Sequence, residues 1–380
     1  MTGAFAAAFA PFERAWEAPW EAARAHKQGG GRVVGYMSSV APRELIEAAG
    51  VFALRLDGVA VHQTPNADRI MERLFDPGVR GVCERVLDGT LDFLDAIVLP
   101  RTPDSVQRLY YYLCEAKRGG AKTPEMLFFD LLHTPWYSSA EYNFRRIGEL
   151  RASLARIAGA EVGDDALEEA IARSNRRRAA LRECLAARPE RLSGGEALKL
   201  IAGAHRMGPD ACETAATSLA AALKQQPTRR RTARLMLAGN APDTAALHDL
   251  VEELGAAIVL DRHDMGDPSI GGEVDTAARP PLRALCDHYH RDVFSPRTFG
   301  ARAGDVVASA RSARADGVIF FFHAEEEVLT WDYPAQKDAL EKAGVAQICL
   351  SGQPYQIDPA SLRPKLQGFI EHLPATAGAH

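Results

Sequence analysis

Several patterns that would assign a chemistry directly are missing from this sequence. Its cysteines are isolated, so no CxxC pair exists, which excludes a zinc knuckle and a ferredoxin-type cluster loop. Neither GxGxxG nor GxxxxGK[ST] is present, so neither a nicotinamide-dinucleotide site nor a P-loop is indicated. There is also no GxSxG elbow to suggest a serine hydrolase.

The chain is also short of features that direct a protein to nucleic acid or membrane. A net charge of −5 gives no overall attraction to nucleic acid or to an anionic lipid surface. No stretch approaches the roughly 18 apolar residues of a membrane span, and the first twenty residues lack the basic start of a signal peptide. We therefore expect a cytoplasmic protein with reduced cysteines and no nucleic-acid or membrane partner.

Short apolar runs that alternate with amphipathic helices are present in two parts of the chain. This alternation predicts strands of a parallel sheet covered by helices on both faces. The predicted strands are 32–37, 51–56, 94–99, 126–131, 233–238, 256–260, 317–322 and 346–350.

Between the two sets of strands the periodicity is that of helices alone. The sequence thus predicts an α/β protein with two Rossmann-like, doubly wound parallel-sheet domains and a helical segment between them. We assign residues 1–30 to a helical arm, 31–140 to the first α/β domain, 141–230 to the helical segment and 231–380 to the second α/β domain.

Candidate functional residues follow the predicted strands, because ligands of open parallel sheets bind outside the carboxyl ends of the strands. Ser38 and Ser39 could bind a ligand or cap the next helix. Asp104 could take part in catalysis or form a surface pair with Arg108 four residues on.

Two later loops, DRHDMGD and HAEEE, carry histidines and carboxylates to the edge of the second sheet. His263, His323 and Glu326 could therefore perform acid–base chemistry or bind a divalent metal. The alternative is that these are solvated loop charges and helix caps, and no metal-ligand spacing is recognisable. We predict no metal site in this chain.

Six segments, in order, resemble the 2-hydroxyacyl-CoA dehydratase and benzoyl-CoA reductase family between about residues 30 and 370. They are RVVGYMSSVAPRELIEAAG, LDGTLDFLDAIVLPRTPDSVQRL, EEAIARSNRRRAALRE, LSGGEALKLI, LVEELGAAIVLDRHDMGD and ADGVIFFFHAEEEVLTWDYP. The resemblance implies two Rossmann-like domains, an acyl-CoA substrate and a homologous second subunit. It also implies a [4Fe-4S] cluster on three cysteines and electrons from an ATP-hydrolysing activator.

The positions of the family's cluster cysteines fall in this sequence on Asp76, Pro103 and Glu326, with Cys83 seven residues beyond the first. Proline offers no side-chain ligand, and carboxylates are poor substitutes for thiolates on an iron–sulfur cluster. We therefore expect no ordinary [4Fe-4S] cluster in this chain and no certain cofactor of its own.

Three functions remain open at this point. In the first, the chain is the acyl-CoA-binding subunit of a heteromeric enzyme, as in anaerobic aromatic degradation, and its partner holds the cluster. In the second, it is a cluster-free homologue that performs non-redox acid–base chemistry on an acyl-CoA. In the third, it is a non-catalytic binding homologue. In the cluster-free case Asp76, Asp104, His263, His323 and Glu326 would supply acid–base groups around the thioester. Under either acyl-CoA function, Ser38 or Ser39 could meet the thioester carbonyl.

Overall fold

The computed structural model describes residues 3–56, 61, 63–72, 74–242, 244–291 and 299–373, with side chains left undescribed at 299 and 300. Residues 1–2, in the predicted helical arm, and residues 374–380, in the predicted second α/β domain, lie outside the described residues. The helices are α1 Gly3–Glu17, α2 Glu21–Gln28, α3 Arg43–Ala48, α4 Pro77–Leu87, α5 Asp104–Arg118, α6 Tyr137–Ala158, α7 Asp164–Leu185, α8 Gly194–Ala204, α9 Pro209–Leu223, α10 Ala246–Glu253, α11 Pro281–Arg291, α12 Phe299–Ser312, α13 Val328–Lys342 and α14 Pro359–Glu371. The strands are β1 Val33–Tyr36, β2 Phe52–Arg55, β3 Ala96–Pro100, β4 Glu125–Phe129, β5 Arg234–Gly239, β6 Ala257–Arg262, β7 Gly317–His323 and β8 Ala346–Gln353.

The first four strands form an all-parallel sheet in the order β2-β1-β3-β4. Every residue of β1 and β3 is buried, as expected for central strands covered on both faces. From β1 the chain passes to β2 at one edge of the sheet, and from β3 it passes to β4 at the other edge. The crevice at this switch in strand order therefore lies between the loops that follow β1 and β3.

The last four strands form a second all-parallel sheet in the order β6-β5-β7-β8. Its order repeats that of the first sheet, and its crevice lies between the loops that follow β5 and β7. The strand β7 is buried along its whole length, as its uninterrupted apolar sequence predicts. The predicted fold class, two Rossmann-like α/β units with helices between them, is confirmed.

The helices α6 to α9 separate the two sheets along the chain, and other helices pack onto them. In α1, Phe5, Phe9 and Phe12 are buried in a core shared with α8 and α9. Helix α11 packs on α6 and α7, and its Leu285 and Tyr289 enter the core of the first sheet. No helix in the described part of the chain has the length and apolar character needed to span a bilayer.

Candidate functional site

The loop after β1 carries Ser38 and Ser39, and both hydroxyls contact a carboxylate from the other half of the chain. The Ser39 hydroxyl and the Ser39 backbone N–H (3.1 Å) both donate to Asp264 Oδ1, and the Ser38 hydroxyl donates to the same atom at 3.4 Å. Helix α3 has Pro42 as its N-cap and no side-chain cap. The serines therefore bind Asp264 across the cleft, the space between the loop after β1 and the loop after β6, and they do not cap α3.

Arg55, the last residue of β2, holds the other side of the same carboxylate. Its side chain is fully buried, and Nη2 donates to Asp264 Oδ2 at 2.7 Å and to the Asp264 carbonyl at 2.9 Å. Ser38 has a φ of 61°, in the left-handed region that non-glycine residues rarely adopt. Asp264 thus ties the strained serine loop and the end of β2 to the loop after β6.

His263, adjacent to Asp264, is directed away from solvent. It is 1% exposed, and its Nε2 lies 3.6 Å from Asp261 Oδ1, which also contacts His248 Nε2 at 2.8 Å. Burial would raise the pKa of the Asp261 carboxyl, but His248 and His263 outweigh it, so this pKa is lowered. The structure thus places the His263 side chain in a buried group with Asp261 and His248, and not in the cleft.

The loop after β7 is organised by Asn240, which follows β5. Asn240 Oδ1 accepts from the His323 backbone N–H at 3.0 Å, and Asn240 Nδ2 donates to Glu326 Oε2 at 2.7 Å. The other oxygen of Glu326 accepts from the Leu329 backbone N–H at 2.8 Å, in the first turn of α13. Both carboxylate oxygens of Glu326 therefore accept hydrogen bonds at the start of α13. Asn240 is a site residue that no sequence motif indicates.

His323 ends β7 with its ring between Phe321 and Tyr355, at centroid distances of 5.3 and 5.4 Å. Burial lowers the pKa of His323 to about 4, so the imidazole is neutral near pH 7. Its Nε2 has no hydrogen-bond partner among the described residues. A neutral imidazole of this kind can accept or donate one proton at a ligand.

The start of α4 lies close to the second sheet edge. A Cβ placed on Gly78 would be 3.3 Å from Asp76 Oδ1 and 3.9 Å from the Tyr355 hydroxyl oxygen. Asp76 is the N-cap of α4, and its Oδ1 accepts from the Val79 backbone N–H at 2.9 Å. The structure therefore brings the first turn of α4, which Asp76 caps, close to the Tyr355 hydroxyl.

None of the three positions at which the family resemblance places cluster ligands carries a thiol. Asp76 and Glu326 accept backbone hydrogen bonds at helix starts, and Pro103, the N-cap residue of α5, has no side-chain atom that could bind a metal. Cys83 is fully buried, and desolvation raises the pKa of its thiol to about 12. In the described part of the chain, no three His, Cys, Asp or Glu side chains converge as a metal site.

Asp104 lies apart from these groups, on the surface of α5. Its Oδ2 is 3.0 Å from Arg108 Nε, and both side chains are more than half exposed. This is the i,i+4 surface pair that the sequence spacing offers as the alternative to a catalytic role.

We expect the substitution Asp104→Asn to lower the free energy of unfolding by no more than about 0.5 kcal/mol, because exposed ion pairs stabilise little. Urea denaturation of the wild type and the variant checks this. A clearly larger loss of stability would mean that Asp104 does more than form this surface pair.

A buried ion cluster lies behind the serine loop, between α3 and α7. Glu44 accepts from Arg178, from Ser174 Oγ at 3.0 Å and from the Tyr289 hydroxyl at 2.7 Å. Glu47 accepts from Arg43 Nε at 2.6 Å and from Arg177 Nη1 at 2.9 Å. All of these side chains are buried.

Comparison with known proteins gives matches along most of the chain. A family model described as 2-hydroxyglutaryl-CoA dehydratase, D-component, matches residues 38–373. The chain is 21% identical to the beta subunit of (R)-2-hydroxyglutaryl-CoA dehydratase of Acidaminococcus fermentans, over 97% of this chain and 100% of that protein. It is 24% identical to one of the subunits of benzoyl-CoA reductase of Thauera aromatica, over 76% and 77% of the two chains. It is also 22% identical to the (R)-phenyllactyl-CoA dehydratase beta subunit of Clostridium sporogenes, over 91% and 93%.

Proposed function

Since this chain belongs to the family of the 2-hydroxyglutaryl-CoA dehydratase D-component, we propose that it is the acyl-CoA-binding subunit of a heteromeric dehydratase or reductase. Its partner would be a homologous subunit that carries the [4Fe-4S] cluster, served by an ATP-dependent activator. The relatives named above are themselves subunits of enzymes named for acyl-CoA substrates, which supports a role of this kind.

The observation that carries the proposal is the state of the three cluster-ligand positions. Two of them hold carboxylates that accept hydrogen bonds at helix starts, and the third is a proline. Because thiolates are the ligands that hold such clusters, the redox group belongs on another chain. This chain then contributes substrate binding rather than electron transfer.

The residues best placed to bind the acyl thioester are those at the two switch points. On one side, Ser38 and Ser39 present hydroxyls that Asp264 holds in place. On the other side, His323 presents an uncharged imidazole nitrogen. Because each serine hydroxyl donates its proton to Asp264, its remaining lone pair suits a hydroxyl donor of the acyl group. A neutral imidazole N–H suits the thioester carbonyl, and both groups stay uncharged on burial.

A second candidate is acid–base chemistry without a cluster, and the unpartnered Nε2 of His323 favours it. In that case His323 would exchange a proton with the substrate, and Glu326, through Asn240, would help to hold the loop. Turnover of an acyl-CoA by the lone chain in air is the result that would select this candidate.

We expect the lone chain, purified without oxygen, to contain neither iron nor acid-labile sulfide in stoichiometric amount. Co-purification with a homologous, cysteine-complete subunit should yield about four iron and four sulfide for each cluster. Metal analysis of both preparations, with the partner alone as control, checks this. About four iron per chain in the lone preparation would contradict the proposal.

A further inference from the structure

A small polar cavity lies behind the serine loop, beside the buried ion cluster of α3 and α7. Its volume is about 40 Å³, which holds about three groups of the size of water. Its charged lining residues are Arg43, Glu44, Arg177 and Arg178, and all four are buried. Their charges therefore act on the contents of the cavity with little screening by solvent.

The charges around this cavity do not balance. Arg178 pairs with Glu44, whereas Arg43 and Arg177 share the single carboxylate of Glu47, at 2.6 and 2.9 Å. Three guanidinium groups thus face two carboxylates, which leaves one positive charge in excess among the described residues of the wall. A buried excess charge is costly, so the wall favours an anion.

Two further lining residues supply no negative charge. Burial lowers the pKa of His205 well below its ordinary value, and nearby arginines, Arg43 and Arg177 among them, lower it further. Its imidazole is therefore neutral near pH 7. Burial also raises the pKa of Tyr289 well above its ordinary value, so the Tyr289 hydroxyl stays neutral as well.

Arg177 is the guanidinium with the most capacity to bind an anion. Its Nη1 donates to Glu47 and its Nη2 donates to Ser174 Oγ at 3.1 Å, and no described residue accepts from its Nε. Arg43 and Arg178, by contrast, donate to described partners from all three of their nitrogens. Since a guanidinium has five N–H donors, Arg177 keeps donors for a ligand.

The cavity lies closest to solvent at two serines. Ser39 and Ser269 are the lining residues that keep partial exposure, and the others are buried. Ser39 donates to Asp264, and Ser269 Oγ donates to the Gly266 carbonyl at 2.7 Å. Because hydrogen-bonded loops border this entrance on both sides, the cavity suits a free small ion rather than the end of a longer molecule.

We infer that this cavity binds a single chloride ion, held by Arg177. A monovalent anion matches the one excess charge, and guanidinium N–H groups bind anions through strong, charge-assisted hydrogen bonds. The ion would complete the charge balance of the cluster that holds α3, and with it the serine loop, against α7. This inference goes beyond the proposed function and does not depend on it.

The direct experiment is equilibrium dialysis of the full chain against radioactive chloride, with sodium gluconate holding the ionic strength constant. We expect about one chloride per chain, because the wall lacks one negative charge. Unlabelled bromide, which has the same charge and a similar size, should displace it.

The second measurement is the midpoint of thermal unfolding as chloride replaces gluconate at constant ionic strength. An ion that binds only the folded chain stabilises it. We expect the midpoint to rise by about 3 °C when the chloride concentration is about 100 times its Kd.

The variant Arg177→Gln removes the excess charge, and Arg176→Gln is its matched control. Arg176 is the preceding residue of α7, but it is exposed and pairs with Glu213 at 3.0 Å. Arg177→Gln should neither bind chloride nor show the shift of the midpoint, whereas Arg176→Gln should behave as the wild type does. Dialysis of the wild type decides the question even where Arg177→Gln fails to fold.

Three results would overturn the inference. The first is a folded wild-type chain that binds no chloride in dialysis. The second is chloride binding that persists in Arg177→Gln, since the ion would then lie elsewhere. The third is an equal shift of the midpoint in the wild type and both variants, which would be a general salt effect. None of these measurements involves an acyl-CoA, so the chloride site and the proposed function stand or fall separately.

Discussion

The substitution Glu44→Gln is expected to lower the free energy of unfolding by about 3–5 kcal/mol, because it leaves buried Arg178 without its carboxylate. The pKa of Glu44 supports this magnitude. Burial would raise that pKa, but Arg178 and the Tyr289 hydroxyl outweigh it and hold it at about 2, against an ordinary 4.5. Such a difference corresponds to about 3 kcal/mol of stability at neutral pH.

The sign of the pH dependence follows from the lowered pKa. The stabilisation is fully present above about pH 4.5 and is lost as the pH falls toward 2. The wild type and Glu44→Gln should therefore differ most at neutral pH and converge in acid. Urea denaturation of both proteins across this pH range measures the convergence.

Glu273→Gln is the matched control, because Glu273 also pairs with an arginine of α7, Arg182, but on the surface. It should change the free energy of unfolding by less than about 0.5 kcal/mol. Equal effects of the Glu44 and Glu273 substitutions would mean that the buried cluster does not stabilise this fold.

Asp264→Ala is expected to lower the free energy of unfolding by about 2–3 kcal/mol and to weaken acyl-CoA binding by about tenfold. The variant removes the acceptor of Ser39 and a carboxylate that pairs with the buried Arg55 guanidinium. The loss of binding follows because Ser38, at a φ of 61°, is no longer held by a contact across the cleft.

A double-mutant cycle of Asp264→Ala with Ser39→Ala, measured as the free energy of unfolding, shows how much of the stability loss comes from the Ser39 contact. We expect a coupling of about 1–2 kcal/mol between the two positions, because they share hydrogen bonds. Asp104→Asn combined with Ser39→Ala is the control and should be additive. Additive effects in the Asp264 cycle would show that the serine loop does not depend on this carboxylate.

The strands could be predicted because a buried parallel strand has an uninterrupted apolar sequence. The predicted strand 317–322 corresponds to β7 Gly317–His323, and the predicted strand 32–37 corresponds to β1 Val33–Tyr36. The positions of Ser38, Ser39 and Glu326 after strands followed from the same pattern. The Asp104–Arg108 pair could also be foreseen, because its two residues are four apart on one helix.

The partners of those loop residues could not be foreseen. His263 looks like an edge residue in the sequence, yet its side chain turns into a buried pair with Asp261. Asn240 carried no signal of its own, and its role depends on residues more than 80 positions away. The sequence left Glu326 as either an acid–base residue or a helix cap, and only the structure shows that it accepts from the Leu329 N–H at the start of α13.

The sequence by itself determined the two parallel sheets, the helices between them and the polar loops at the carboxyl ends of the strands. These features depend on local periodicity and on the burial of single segments. Only the tertiary structure decided that Ser39 meets Asp264, 225 positions away, and that two carboxylates face three arginines beside them. Such contacts depend on how α7 and the two sheets pack together, and no local pattern encodes that packing.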